Sequence, residues 1–348
     1  MFSGLIINWY LSHKRELPWR NTKNAYEIWI SEIILQQTRV AQGIGYYASF
    51  LKAFPTVKDL ARASEDAVLL QWQGWGYYSR ARNMHAAAKE IVERFHGKFP
   101  ATYEEIRSLK GVGDYTAAAI SSFAYDLPYA VLDGNVFRIL SRYFEVDTPI
   151  DSTNGKKEFA RLAREVLDES RSALHNQAMM DLGATVCLPN QPKCEICPVE
   201  SSCASHASGS ERFYPCKGKK VEIKDRYFLY VNIRCGNTVF LHRRGAKDIW
   251  QGLYEFPLVE LSHALDEGCR VDDVIGVLSS EFSSIMLKKI HPPIKHVLSH
   301  QRIHAWFVEA EGDLIKKSDS SYNPVHIGEI QNYAVSRLTE IYLQRFFE

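Results

Sequence analysis

The sequence predicts two domains of different class, an all-α domain followed by an α+β domain. Three observations carry this. Apolar residues recur at helical spacing as far as Cys203. A stretch rich in Ser, Gly and Lys then runs from Ser205 to Lys220. Beyond it, Tyr227, Leu229, Val231 and Ile233 alternate with their neighbours.

Taken in order, Phe2, Leu5, Ile6, Trp9 and Tyr10 follow the i, i+3, i+4, i+7, i+8 pattern of a buried helical stripe. Tyr26–Thr38 reads as a second helix. The Ala-rich segments Ala86–Phe95 and Ala117–Phe123 read as two more. Asp151 or Ser152 is placed to cap a helix through Phe159, Leu162 and Val166. After the Ser/Gly/Lys stretch, Gly236-Asn237 ahead of Val239 and Leu241 is a β-hairpin signal. Ile303, Ala305 and Phe307 alternate again.

The length of 348 residues suits two domains, which usually run to about 100–200 residues each. No apolar run of about 18 residues occurs, so no membrane span and no membrane partner are expected. Met1–Tyr10 has no basic stretch leading into a long apolar run, so no signal peptide is expected. A cytoplasmic, reducing compartment follows, where cysteines bind metal or pack more often than they form disulfides. The net charge of +1 neither announces nor excludes nucleic acid.

The densest chemical signal is Cys187-x6-Cys194-x2-Cys197-x5-Cys203. Four thiolates in one short segment form a full ligand set for a soft centre, either an iron–sulfur cluster or tetrahedral zinc. Pro189, Pro192 and Pro198 favour a tight, non-helical wrap around it. Cys216, Cys235 and Cys269 are scattered and read as packing residues or surface thiols.

Leu109–Thr116 contains Gly111 and Gly113 just ahead of an Ala-rich helix. Two glycines allow a tight turn, and the following helix N-terminus offers N–H groups to a phosphate. An ordinary helix C-cap and turn is the other reading. The pattern resembles the helix–hairpin–helix motif, which binds the DNA backbone.

Two carboxylates stand in unlike settings. Glu32 has Ile28, Trp29 and Leu35 as its helical neighbours. A glutamate on that stripe loses water, which raises its pKa and suits a general acid. The alternative is a side chain reaching to water at the stripe's edge. Asp133 follows the apolar run Tyr129–Leu132 and opens Asp133-Gly134-Asn135 ahead of a helical stretch Val136–Tyr143. There, N–H groups and the helix dipole would hold it ionised, either as a plain cap or as a working carboxylate. As a pair, a neutral acid and a fixed carboxylate can cleave a glycosidic bond through an oxocarbenium-like transition state.

Trp29–Thr38 (WISEIILQQT), Gly74–Asn83 (GWGYYSRARN), the glycine hairpin, Leu132–Val136 (LDGNV) and the cysteine spacing together resemble the MutY branch of the helix–hairpin–helix glycosylases. The resemblance spans nearly all of the chain up to the Ser/Gly/Lys stretch. It implies a six-helix barrel against a module carrying one [4Fe–4S] cluster on Cys187, Cys194, Cys197 and Cys203. It implies extrusion of adenine into a pocket. There Glu32 would protonate a ring nitrogen and later help deliver water. Asp133 would stabilise the sugar cation, by charge or by a transient covalent bond. Tyr115 and Asn135 match positions supporting these two. Arg15, Trp19, Leu35 and Gln177 match adenine-pocket positions. Gln37 and Tyr77 match residues that wedge into the duplex beside the opposite base. Thr38 with Gly111 and Gly113 completes the implied DNA contacts. In the endonuclease III relatives a lysine nucleophile occupies the place of Tyr115. Its absence implies base removal without strand cleavage.

The segment from residue 226 onward resembles the Nudix-like C-terminal domain of MutY proteins, through Trp250–Pro257 (WQGLYEFP) and His296–His300 (HVLSH). The Nudix catalytic box is missing, so the implied role is recognition of 8-oxoguanine opposite the adenine. The family's Phe-Ser-His loop reads Leu298, Ser299, His300 here. His296, His300 and His304 sit four apart, but the surrounding alternation places them on strands and a loop rather than on a metal-binding helix. The expected organisation is a catalytic domain at 1–211, a linker at 212–225 and a lesion-recognition domain at 226–348. The expected partner is double-stranded DNA with adenine opposite 8-oxoguanine or guanine, bound by a monomer associated with the nucleoid.

Overall fold

The computed structural model describes residues 2–218, 222–265, 271, 275–315 and 321–347. Cys269 and residues 219 and 220 of the Ser/Gly/Lys stretch lie outside them. The chain forms two compact units. One comprises Met1–Arg62 with Asn83–Lys219, the other Ala63–Arg82 with Lys220–Glu348. Among the described residues no helix is long and apolar enough to cross a membrane.

The first unit is helical. Its main elements are α1 (Phe2–His13), α2 (Ala25–Leu35), α3 (Val40–Ala53), α4 (Val57–Arg62), α7 (Tyr103–Ser108), α8 (Asp114–Tyr125), α9 (Gly134–Phe144), α10 (Thr153–Val166), α11 (Ser172–Thr185) and α12 (Ala204–Ala207). Helix α5 (Glu65–Gln71) belongs to the second unit, and α6 (Ser79–Phe95) begins in the second and continues into the first. Ile6 and Tyr10 of α1 pack with Val136, Leu140, Phe159 and Leu182 in one core. That core sets α9, which carries Asp133 at its head, against α10 and α11.

The buried stripe of α1 is turned slightly from the expected one. Ile7 is fully buried and Leu5 is 41% exposed, because the face toward α11 is centred on Ile6, Ile7 and Tyr10. Helix α2 stops at Leu35 rather than Thr38, since Gln37 takes a left-handed φ of 59° that no helix continues through. Ser152, not Asp151, caps α10, accepting from the Gly155 N–H at 2.9 Å, while Asp151 accepts from the Gly218 N–H. The Ser/Gly/Lys stretch is not loose at its start. Ser205 is fully buried, and α12 and a 3₁₀ turn at Glu211–Phe213 order the chain beyond Cys203.

Among the described residues, the second unit is built on an eight-stranded mixed sheet. Strand β1 (Lys224–Cys235) pairs in parallel with β7 (Gln301–Leu314), and β2 (Thr238–Arg243) returns antiparallel from the Gly236-Asn237 turn. Gly236 has φ 57°, as such a two-residue turn requires. The alternation in β1 understates its burial. Phe228 and Tyr230 face one core with Leu338 and Tyr342 of the C-terminal helix Arg337–Phe346. Leu229, Val231 and Ile233 face a second core with Phe240 and Val308. A central strand covered on both faces reads as a continuous apolar run. Within this unit, Arg243 bonds Glu65 and Asp66 of α5, and Gln73 accepts from the Val335 N–H.

Candidate active site

Helix α2 packs on α8, and this brings Glu32 against Tyr115. Tyr115 sits in the first turn of α8, immediately after the glycine hairpin. Gly111 requires its residue type there. Its φ is 76°, and a Cβ would lie 2.6 Å from the Asn83 Cβ. Gly113 has ordinary extended backbone and caps α8 without a side chain.

The Tyr115 hydroxyl donates to Glu32 Oε2 at 2.5 Å. Glu32 is 4% exposed. Burial pushes its carboxyl up to about 7, helped by the nearby Asp133 charge and opposed by the Tyr115 bond and Arg20. Asp133 caps α9, with Oδ1 accepting from the Val136 N–H and Oδ2 from Asn135 Nδ2, both at 2.8 Å. The expected contrast is only partly present. Burial raises Asp133 as well, against the pull of those donors and of Arg138. The helix-end donors do not outweigh the loss of water.

One pocket gathers these groups. Glu32, Tyr115, Asp133 and Asn135 line it, and so do Arg15, Trp19, Leu35, Gln177 and Thr38. The sequence motifs did not point to Arg20, which also lines it. Arg20 and Arg15 converge on Asp181, whose side chain is fully buried. Burial alone would lift that carboxyl, but the two guanidiniums hold it below the usual range. Tyr10 donates to Gln177 Oε1 at 2.7 Å. Gln37 stands outside the pocket, exposed on its left-handed backbone.

The four cysteines are free thiols around a second cavity. Arg142 of α9 is almost fully buried there. Its Nη1 lies 3.3 Å from Cys187 Sγ, and its other bonds go to the carbonyls of Leu188, Pro189 and Glu211. Burial pushes the Cys194 thiol up to about 12 and Cys197 to about 11. Thiols so placed ionise only when a cation joins them, so this donor set fits a soft metal centre. Arg138, one turn before Arg142, bonds Asn135 Oδ1 at 2.9 Å and the Cys187 carbonyl at 2.7 Å.

Residues 30–168 match the HhH-GPD superfamily base excision DNA repair proteins, and residues 229–345 match the NUDIX domain. An adenine DNA glycosylase of Buchnera aphidicola subsp. Baizongia pistaciae is 36% identical over 87% of this chain and 84% of its own length. The human adenine DNA glycosylase is 43% identical over 58% of this chain and 39% of its own. The chain belongs to the adenine DNA glycosylase family. Among solved structures, a thermostable thymine-DNA glycosylase superposes with a TM-score of 0.56 at 26% identity, over 60% of this chain and 95% of that one. An endonuclease III–DNA complex shares the fold of the same part, with a TM-score of 0.52 at 19% identity.

In this glycosylase, the Leu298–His300 segment turns the chain from β6 (Ile294–Val297) into β7, with the Leu298 N–H donating to the Gln301 carbonyl. Leu298 packs against the core, while Ser299 and His300 are exposed. Tyr77, 48% exposed with a left-handed φ of 48°, has its hydroxyl 2.8 Å from Ser299 Oγ within the same unit. His296, His300 and His304 do not converge. His304 bonds Asp225, and His296 packs near Trp250.

Proposed function

We propose that the chain hydrolyses the N-glycosidic bond of adenine paired with 8-oxoguanine or guanine in duplex DNA and leaves an abasic site. The observation that carries this reading is the Glu32–Tyr115 pair beside Asp133 in one pocket. A carboxyl raised to about 7 is protonated in a large fraction of molecules near neutrality. Glu32 gives that proton to a ring nitrogen of the extruded base, and the C1′–N bond breaks with its electrons leaving on the base. Asp133, held by Asn135 and the Val136 N–H, stabilises the sugar cation. Glu32, now a carboxylate, takes a proton from water as the oxygen bonds to C1′. Among the described residues the pocket lining holds Tyr115 and no lysine, which supports base removal without a Schiff base to the sugar.

In this reading Cys187, Cys194, Cys197 and Cys203 hold one [4Fe–4S] cluster, facing the buried Arg142 guanidinium. A bound cluster supplies a four-point structural tie and a redox-capable centre. The hairpin at Gly111 and Gly113 meets the DNA backbone, and Thr38 adds a contact. Gln37 and Tyr77 wedge into the duplex, both already exposed on strained backbone. Leu298, Ser299 and His300 read the opposite base. Residues 1–211 would thus do the chemistry and 226–348 the reading, in a monomer.

The test uses duplexes carrying adenine opposite 8-oxoguanine, adenine opposite guanine, or an oxidised pyrimidine, scored for nicks with and without alkali. Alkali-dependent breaks at the adenine are expected. Cleavage at the pyrimidine lesion alone, or none anywhere, overturns the reading.

A further inference from the structure

The rim of the cysteine cavity is uneven. Glu211 Oε1 lies 3.7 Å from Cys194 Sγ, and His206 Nδ1 lies 2.6 Å from the same oxygen. One ligand atom from each of Cys194, His206 and Glu211 lies within 4.8 Å of the other two. Cys187 and Cys203 have different neighbours. Cys187 faces the Arg142 guanidinium, which has no lone pair to give. Cys203 faces the Arg142 carbonyl and the Ser205 hydroxyl at 3.6 Å.

The His/Glu pair is built in rather than adrift. His206 lies on α12, directly after Cys203, and its Nε2 is 3.1 Å from Glu200 Oε1. The Glu211 carbonyl accepts from Arg142 Nε at 2.9 Å, so the arginine that faces Cys187 also fixes Glu211. Its side chain is 17% exposed. Imidazole and carboxylate are both iron ligands, and imidazole replaces thiolate on iron in some iron–sulfur centres.

We propose that His206 and Glu211 are a reserve ligand pair for the iron at the Cys194 corner, able to keep that metal bound when the Cys194 sulfur is lost. The proposal rests on the reading of this cavity as an iron–sulfur site. The exchange breaks one Fe–S bond, whose electron pair leaves on the Cys194 thiolate, and forms one Fe–N or Fe–O bond; the thiolate takes the proton held between His206 and Glu211, and no oxidation state changes. No oxidant or reductant is required. The consequence is a centre whose Cys194 corner is exchangeable and whose Cys187 corner, facing a guanidinium, is not.

The experiment compares full-length chains carrying Cys194→Ala, Cys187→Ala, His206→Ala with Glu211→Ala, and Cys194→Ala added to that pair. Iron and sulfide per chain, the visible charge-transfer band and the EPR spectrum are read for each. Cys194→Ala should keep more than about half of the wild-type iron with an altered EPR spectrum, whereas Cys187→Ala falls at least tenfold. The His206/Glu211 double variant should load fully, and adding Cys194→Ala to it should strip the metal. Equal iron loss in Cys194→Ala and Cys187→Ala overturns the proposal, and aggregation of Cys194→Ala counts as loss. So does retention in the triple variant, since the reserve would then lie elsewhere. A wild-type chain without iron instead sinks the cluster reading itself.

Discussion

Tyr115 donates its hydroxyl hydrogen to Glu32 Oε2 across 2.5 Å, and this single bond works against the burial that raises the Glu32 carboxyl. Burial raises the Glu32 carboxyl to about 7, and the Tyr115 bond lowers it. If protonated Glu32 drives base release, the single-turnover rate should fall as pH rises through about 7. In Tyr115→Phe the opposing bond is gone, so the falling limb should move to higher pH. The rate at its best pH should drop about tenfold through lost positioning. A limb that stays put in Tyr115→Phe would falsify the coupling.

The same shift predicts a stability effect. Glu32 takes up its proton more readily folded than unfolded. Its favourable contribution is therefore complete below about pH 4.5 and is lost as pH rises through about 7. Glu32→Gln removes the charge that must be buried above pH 7. The variant should lose base release yet unfold at a higher temperature than wild type at pH 8. The gain is on the order of 3 kcal/mol at most and should vanish near pH 4. Thermal melts at both pH values check this, and equal melting of the two chains at pH 8 contradicts a desolvated Glu32.

In the proposed reaction Asp133 has a second job besides capping α9, and one substitution separates the two. An asparagine keeps an oxygen for the Val136 N–H, so the α9 cap should survive within about 1 kcal/mol. The negative charge is gone. Asp133→Asn should cut base release by more than about a thousandfold while duplex affinity changes little. Turnover at near wild-type rate would make Asp133 a cap and nothing more.

How much of this was legible in the sequence depends on separation along the chain. Glu32 could be read because Ile28, Trp29 and Leu35 surround it within one helix. Asp133 could be read because cap grammar is local. The rise in the Asp133 pKa was not legible, because it comes from residues of α2, α8 and α11 closing over the pocket. Arg20 and Asp181 are 161 positions apart, and Tyr10 and Gln177 are 167 apart. No spacing rule reaches that far. Ile7 and the second face of β1 were missed for a related reason. Periodicity reports one buried face, and the partner that covers another face is not written nearby.

Tyr10 supplies a prediction that only the structure reveals. Its hydroxyl occupies the Gln177 carbonyl, so Gln177 meets the pocket with amide N–H donors. Tyr10→Phe frees that carbonyl and lets the amide turn. The single-turnover rate should fall about five- to tenfold, the cost of one misplaced hydrogen bond, with duplex affinity unchanged. Combining it with Gln177→Ala should add nothing further. Additive losses would show that the two side chains act separately.

Arg142 should decide whether the cysteine cavity forms at all. Four of its contacts are to groups of the wrap around the cysteines, and its charge is buried beside Cys187. Arg142→Met keeps most of the volume but leaves three carbonyls without their donor. Each orphaned buried acceptor costs about 1–3 kcal/mol. The variant should load little metal and melt well below wild type. Full metal loading in Arg142→Met would mean that the loop closes without it.

Ser299 and Leu298 should separate reading from packing. Leu298 lies against the core of the second unit, so Leu298→Ala should destabilise that unit by about 1–3 kcal/mol and blunt activity on every duplex alike. Ser299 is exposed and bonded only to the Tyr77 hydroxyl among the contacts described. Ser299→Ala should leave the melting temperature unchanged. If Ser299 reads the opposite base, its loss should bring the rates opposite 8-oxoguanine and opposite guanine closer together, because the guanine duplex has less to lose. The ratio of the two rates is the quantity to measure, since a fold defect lowers both and leaves it fixed. A ratio unmoved in Ser299→Ala but shifted in Leu298→Ala would reverse the assignment and give the reading to the packed residue.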